Sequence, residues 1–201
     1  MLTNQLTTEQ LTFWPGILND ISTEGILHTA MRHVAYNLSE MIGRPITVDG
    51  LHIETVSINR LGMLCLNPES ETVGIYLLID GDLSGESILI FCPDDAMYLA
   101  DWLLEARPGT TTRLGDIERS ALAELGNQAL SSFLNAIADL TGTPLRLSPP
   151  AVIVDMLGVI FEAVAMSADT ASDDLLIIKT CFVNTDSSLR FQFWVLPDLI
   201  N

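Results

Sequence analysis

The chain repeats itself. Displaced by 99 residues, the sequence sets Ala30 against Ala129, Leu38 against Ile137, Glu40 against Asp139, Gly43 against Gly142 and Pro45 against Pro144. A self-match at fixed offset points to a tandem duplication, which constrains the fold strongly because both halves must follow one local plan and share one core. Each half opens with an amphipathic helix, predicted over 23–42 and 113–141. Each helix ends at a glycine suited to a left-handed C-terminal position, with a proline shortly after. In the first half, strands are predicted near 51–58, 72–79 and 86–92, followed by a helix near 93–106 that Pro93 is well placed to start. In the second, strands are predicted near 151–161, 173–183 and 188–196. Asp80–Gly85 and Asn184–Ser188 are rich in turn-forming residues and imply hairpins, hence antiparallel pairing.

Two such halves most simply build one α+β domain over 1–201, an antiparallel β-sheet with a pseudo-twofold axis and long helices packed against it. The first repeat covers about 22–106 and the second about 113–200. Arg107–Thr112 reads as the joint between them, Ser167–Asp173 as a flexible loop, and residues 1–16 as a mobile extension.

With 48% hydrophobic residues in 201, the chain has ample material for a core. Nine basic against 26 acidic residues give a net charge of -17, which repels phosphate backbones and anionic headgroups, so nucleic acid and membrane surfaces are poor partners. The first fifteen residues lack a basic segment followed by a long apolar one, and runs such as Ile75–Ile79 are far too short to span a bilayer. A cytoplasmic protein, monomer or homodimer, is expected. Cys65, Cys92 and Cys181 lie far apart without metal-ligand spacing and read as buried reduced thiols. Asn37-Leu-Ser39 fits a glycosylation sequon by coincidence, since it lies within the first predicted helix.

The second long helix holds the candidate site. Leu122, Leu125, Ala129, Phe133, Ala136, Ile137 and Leu140 fall in one stripe at about 100° per residue. Ser120, Glu124, Asn127 and Ser131 fall opposite, and spacings of three and four residues bring Glu124 and Asn127 within reach of one small target. Spacing alone fits the solvated face of any amphipathic helix.

The pattern is similar to that of the CheC family of chemotaxis phosphatases, whose relatives include CheX and the phosphatase part of FliY. The family signature runs Asp or Ser, three residues, Glu, two residues, Asn, then about twenty-two residues to a Pro. Here Ser120, Glu124, Asn127 and Pro150 meet it, with twenty-two residues between the last two. The surroundings Gly126–Asp139 and the stretch Asp82–Leu104 also look family-like, and the resemblance extends over roughly 22–200.

That resemblance implies hydrolysis of the phosphoaspartate of a CheY-like response regulator, ending a chemotaxis or other two-component signal. It implies that Glu124 anchors the partner through the lysine beside the phosphorylation site, and that Asn127 orients the attacking water. Ser120 is read as supporting the helix edge or touching the partner, with no base beside it, and Pro150 as shaping the loop that faces the helix. No cofactor is expected on this chain; Mg2+ would belong to the receiver's acidic pocket. The other reading is a non-catalytic interaction module, like the middle domain of the switch protein FliM, or a binder of the deamidase CheD as CheC proteins can be.

The first half departs from two-site family members: Ile21, Gly25, His28 and Leu51 stand opposite Ser120, Glu124, Asn127 and Pro150, so one site is expected. Glu24 is one residue out of register, and His33 and His52 have no partner pattern. Asp80-Gly-Asp-Leu-Ser-Gly85 imitates the start of a calcium loop, but Phe91 occupies the position of the bidentate Glu and strands flank it. Gly126 on the apolar side of the helix suggests close approach of the paired helix, and Asp94 and Asp95 suit a helix N-terminus.

Overall fold

Strands from the two halves interleave in one sheet. The computed structural model describes residues 22–58, 60–61, 67–81, 84–141, 145–167 and 174–198. In chain order the elements are α1 (Ser22–Ile42), β1 (Ile46–Ser57), β2 (Glu71–Gly81), β3 (Gly85–Phe91), α2 (Pro93–Leu103), α3 (Asp116–Thr141), β4 (Leu145–Leu147), β5 (Ala151–Met156), α4 (Leu157–Ser167), β6 (Asp174–Asn184) and β7 (Arg190–Pro197). The strands lie in the order β1-β6-β7-β3-β2-β4, with β5 also paired to β2, and every pairing is antiparallel. Exchanging the two halves leaves this order unchanged. At the centre β3 meets β7, Leu89 opposite Phe193.

Both faces of the sheet are covered, and the side-chain alternation of β3 shows how. Leu89 and Phe91 join a core with Leu27, Val34 and Leu38 of α1, Ala96 and Leu99 of α2, and Leu122, Leu125 and Phe133 of α3. Ile88 and Ile90 point the other way, into a second cluster with Ile160, Phe161 and Val164 of α4 and Trp194 of β7. All of β3 is therefore buried, as expected of a strand with both sides packed.

The helix α4 corrects the sequence reading, which ran a strand from 151 to 161. The strand ends at Met156, where Leu157 N donates to Ser70 O at 2.9 Å and Gly158 N to Pro68 O at 2.8 Å, turning the chain back. The apolar run Leu157–Phe161 offers no alternation to distinguish strand from helix. Coiled into α4, the chain puts Ile160, Phe161 and Val164 on one side, against the open face of the sheet.

Most boundaries follow local chemistry. Gly43 ends α1 at φ +69°, its N–H and that of Arg44 both donating to Ser39 O; Gly142 and Pro144 lie outside the described residues. Pro93 opens α2 with Asp94 and Asp95 in its first turn. The hairpins β2–β3 and β6–β7 form as predicted, though Asp82 and Leu83 lie outside the described residues. So do residues 1–16, Cys65 and most of the segment expected to be a loop at 167–173. Cys92, expected to be buried, is exposed just before α2, where its Sγ donates to Asp95 Oδ2 at 3.0 Å instead of entering the core; Cys181 is half-buried, and both are free thiols.

The joint between the halves is held by one carboxylate. Asp101 of α2, inaccessible to solvent, accepts hydrogen bonds from Gly109 N (2.6 Å), Thr110 N (3.1 Å), Thr110 Oγ1 (3.0 Å) and Thr111 N (3.0 Å). Burial alone would push the carboxyl up, but the hydrogen bonds from Thr111, Thr110 and Gly109 outweigh it and hold it below the usual carboxylate range. Among the described residues, no helix is long and apolar enough to cross a membrane.

Candidate active site

The helix α3 is set in place from three directions. Asp116 and Glu118 occupy its first turn, where negative charge meets the unpaired N–H groups. Its apolar side, including Leu122, Leu125, Ala129, Phe133 and Ile137, is fully buried. Across that side Asn37 Nδ2 of α1 donates to Ser132 Oγ at 2.8 Å, and Ser132 Oγ in turn donates to Gln128 O at 2.7 Å.

Gly126 is where helix and sheet come closest. A Cβ there would stand 2.5 Å from Ile75 Cγ2, so the glycine admits β2, not the paired helix expected from the sequence. The apolar stripe of α3 faces the sheet, and α1 lies to its side.

One contributor was not identified from the sequence. Arg119 donates from Nε to Leu114 O at 3.2 Å and from Nη1 to Val152 O at 3.1 Å, tying the first turn of α3 to β5. Its place immediately before Ser120 gave no signal, because its partner is a backbone carbonyl in a distant strand.

On this rigid base the predicted side chains stand as follows. Ser120 and Glu124 are exposed and Asn127 is half-buried, all on the side of α3 turned away from the sheet. The rise of a helix separates Ser120 from Glu124 by about 6 Å and Glu124 from Asn127 by about 4.5 Å along the axis. Among the described residues, none of the three side chains engages a hydrogen bond or ion pair. Glu124 and Asn127 are thus neighbours whose polar groups are uncommitted within the chain.

Pro150 lies half-buried between β4 and β5. Its approach is fixed by Ser148, whose N–H donates to Leu78 O at 3.0 Å and whose Oγ accepts from Leu78 N at 2.8 Å. Directly after it, Ala151 and Val152 pair with Tyr76 and Ile75. Since Ile75 is also the residue against Gly126, Pro150 sits near the level at which the Glu124–Asn127 turn crosses the sheet.

In the first half, Gly25 and His28 are exposed on α1 and Leu51 is half-buried in β1, while Ile21 lies outside the described residues. His28 lines a groove of about 500 Å³ between α1 and the edge strand β1 with Arg32 and Tyr36. No carboxylate stands at the position of Gly25, and a Cβ added there would meet nothing within 4 Å. His33 and His52 are exposed.

Residues 117–154, a span holding Ser120, Glu124, Asn127 and Pro150, match the CheC-like family. Over 186 residues, which are 90% of this chain and 87% of the relative, the sequence is 25% identical to the CheY-P phosphatase CheC of Bacillus subtilis. Among solved structures, FliY of Thermotoga maritima aligns with a TM-score of 0.68 at 21% identity, covering 95% of this chain and 90% of that one. A chain of the CheX-CheY-BeF3-Mg2+ complex of Borrelia burgdorferi aligns with a TM-score of 0.58 at 14% identity, covering 89% and 99%.

Proposed function

Because the chain belongs to the CheC, CheX and FliY family, we propose that it is a phosphatase acting on the phosphoaspartate of a CheY-like receiver domain, through the single site formed by Glu124 and Asn127. The observation that carries this reading is the pair itself: two polar side chains on one face of α3, at the family spacing, with no hydrogen-bond partner among the described residues. Relatives named as CheY-P phosphatase and as a CheX-CheY complex support the choice of partner.

Phosphoaspartate is an acyl phosphate. In its hydrolysis a water oxygen bonds to phosphorus, the bond from phosphorus to the acyl oxygen breaks, and the carboxylate leaves with the electron pair while the water proton passes to solvent. The leaving group is good, so placing the water in line matters more than a strong base. The Asn127 carboxamide does not take a proton near neutral pH, but its Oδ1 accepts a hydrogen bond from water and fixes its direction. Glu124 supplies a carboxylate for a cation beside the partner's phosphorylation site, an interaction stronger than a neutral hydrogen bond. Mg2+ would be held by the receiver, where it would offset charge on the phosphoryl oxygens. Ser120 flanks the pair on the same edge, and Pro150 holds the neighbouring loop.

Phosphate release from phosphorylated receiver domains of the same genome, with Mg2+, tests the reading. Wild type accelerates the release and Asn127→Ala does not, while keeping its fold; loss of a preorganised hydrogen-bonding group corresponds to about 2.7–4 kcal/mol. Full activity in Asn127→Ala would refute the assignment.

A further inference from the structure

One side chain on the proposed catalytic edge takes no part in the chemistry of Glu124 and Asn127. Ile117, in the first turn of α3, is 68% exposed and is the only large hydrophobic side chain left exposed on the described part of that helix. Single exposed apolar residues are common and usually mean nothing, but the position of this one is particular. It precedes Glu124 by seven residues, and seven residues of α-helix fall about 20° short of two full turns, so both side chains project from nearly the same line on the helix. Ser120 stands between them. The separation along the axis is about 10 Å.

We propose that Ile117 is a second anchor for the receiver domain, seated against an apolar residue beside the partner's phosphorylation pocket. This rests on the phosphatase reading above. Glu124 alone holds a partner at one point, about which the partner can pivot. A pivot of about 10° moves a phosphorus 5–6 Å away by about 1 Å, a displacement sufficient to cost a large part of the rate in a positioned reaction. A contact about 10 Å along the same line removes that freedom and leaves the phosphorus under Asn127. An apolar anchor also suits a chain with a net charge of -17, because its attraction to an acidic partner does not depend on opposite charge. The occupant follows from continuity: the line through Ile117 runs past Ser120 to Glu124, with Asn127 about 80° round the helix, so a partner of domain size that engages that pair reaches Ile117 as well.

The test uses the receiver that wild type dephosphorylates, loaded with beryllofluoride for binding and phosphorylated for turnover. Ile117→Asp is expected to raise Kd and KM about tenfold, and Ile117→Leu to stay within twofold of wild type, with unchanged melting temperatures because the side chain is exposed. Asn127→Ala, run alongside, is expected to bind like wild type and to lose turnover. A folded Ile117→Asp with Kd within twofold of wild type overturns the anchor, and lost turnover in Asn127→Ala would then leave the phosphatase reading standing. Undiminished turnover in Asn127→Ala removes that reading and the anchor with it.

Discussion

Gly126 and Ile75 touch so closely that a single methyl group does not fit between them: a Cβ on the glycine would lie 2.5 Å from Ile75 Cγ2 and 3.4 Å from its Cβ. Ile75 is fully buried and branched at Cβ, so its methyl cannot swing aside without leaving its rotamer. The contact sets the height of α3 over β2, one residue from Asn127.

Gly126→Ala is therefore expected to destabilise the protein, although alanine favours helix by about 1 kcal/mol. Overpacking costs about 1–3 kcal/mol and reverses that gain. Urea titration measures the loss. A parallel fall in turnover is expected, since relief of the clash lifts the turn that carries Glu124 and Asn127.

Glu124→Gln keeps size and helix preference but removes the charge. Weaker binding to a beryllofluoride-loaded receiver is expected, with the wild-type advantage shrinking as salt rises. Calorimetry at two ionic strengths checks both, and equal affinity of the two proteins would contradict the anchoring role.

On the proposed single-site reading, α3 carries the chemistry and α1 the support. His28→Ala, on the exposed face of α1, is expected to leave turnover near wild type. Leu38→Ala, fully buried in the core shared by both halves, is expected to cost about 2–5 kcal/mol. A folded His28→Ala with half the wild-type turnover or less would place chemistry in the first half.

Asp101 makes stability depend on pH in one direction. Its carboxyl is held below the ordinary value in the folded protein, so its contribution is present in full above the usual carboxylate range and is lost as pH falls through the lowered value. Asp101→Asn is expected to melt lower than wild type at pH 7, with the difference narrowing as the pH falls below the usual carboxylate range. Thermal melts across that range read the convergence.

The shared side of Ser120, Glu124 and Asn127 is legible in the sequence because it is local: the three lie on one helix, and three- and four-residue spacing fixes their common side, while the candidate role of that edge comes from the family resemblance that also takes in the distant Pro150. Gly43 and Pro93 announced helix boundaries for the same reason. Contacts between distant segments were not legible. Gly126 showed that something approaches α3 but not that it is Ile75, and Arg119 gave no sign of its bond to the Val152 carbonyl. The start of α4 reads as strand because the short apolar run Leu157–Phe161 has no period, and what decides its form is the uncovered face presented by Ile88, Ile90 and Trp194.

The interleaved sheet also dictates an order of events during synthesis. β3 is complete at Phe91, yet its central partner β7 begins only at Arg190. At roughly 5–20 residues per second, the strand destined for the middle of the sheet waits several seconds or more with one edge unsatisfied. Until the last strand arrives, the nascent chain presents β3, the most buried strand of the finished protein, as an open edge able to pair with other chains. Folding yield is therefore expected to depend on how well that edge is shielded on the ribosome, so chaperone supply or slower translation should affect this protein more than its modest length suggests.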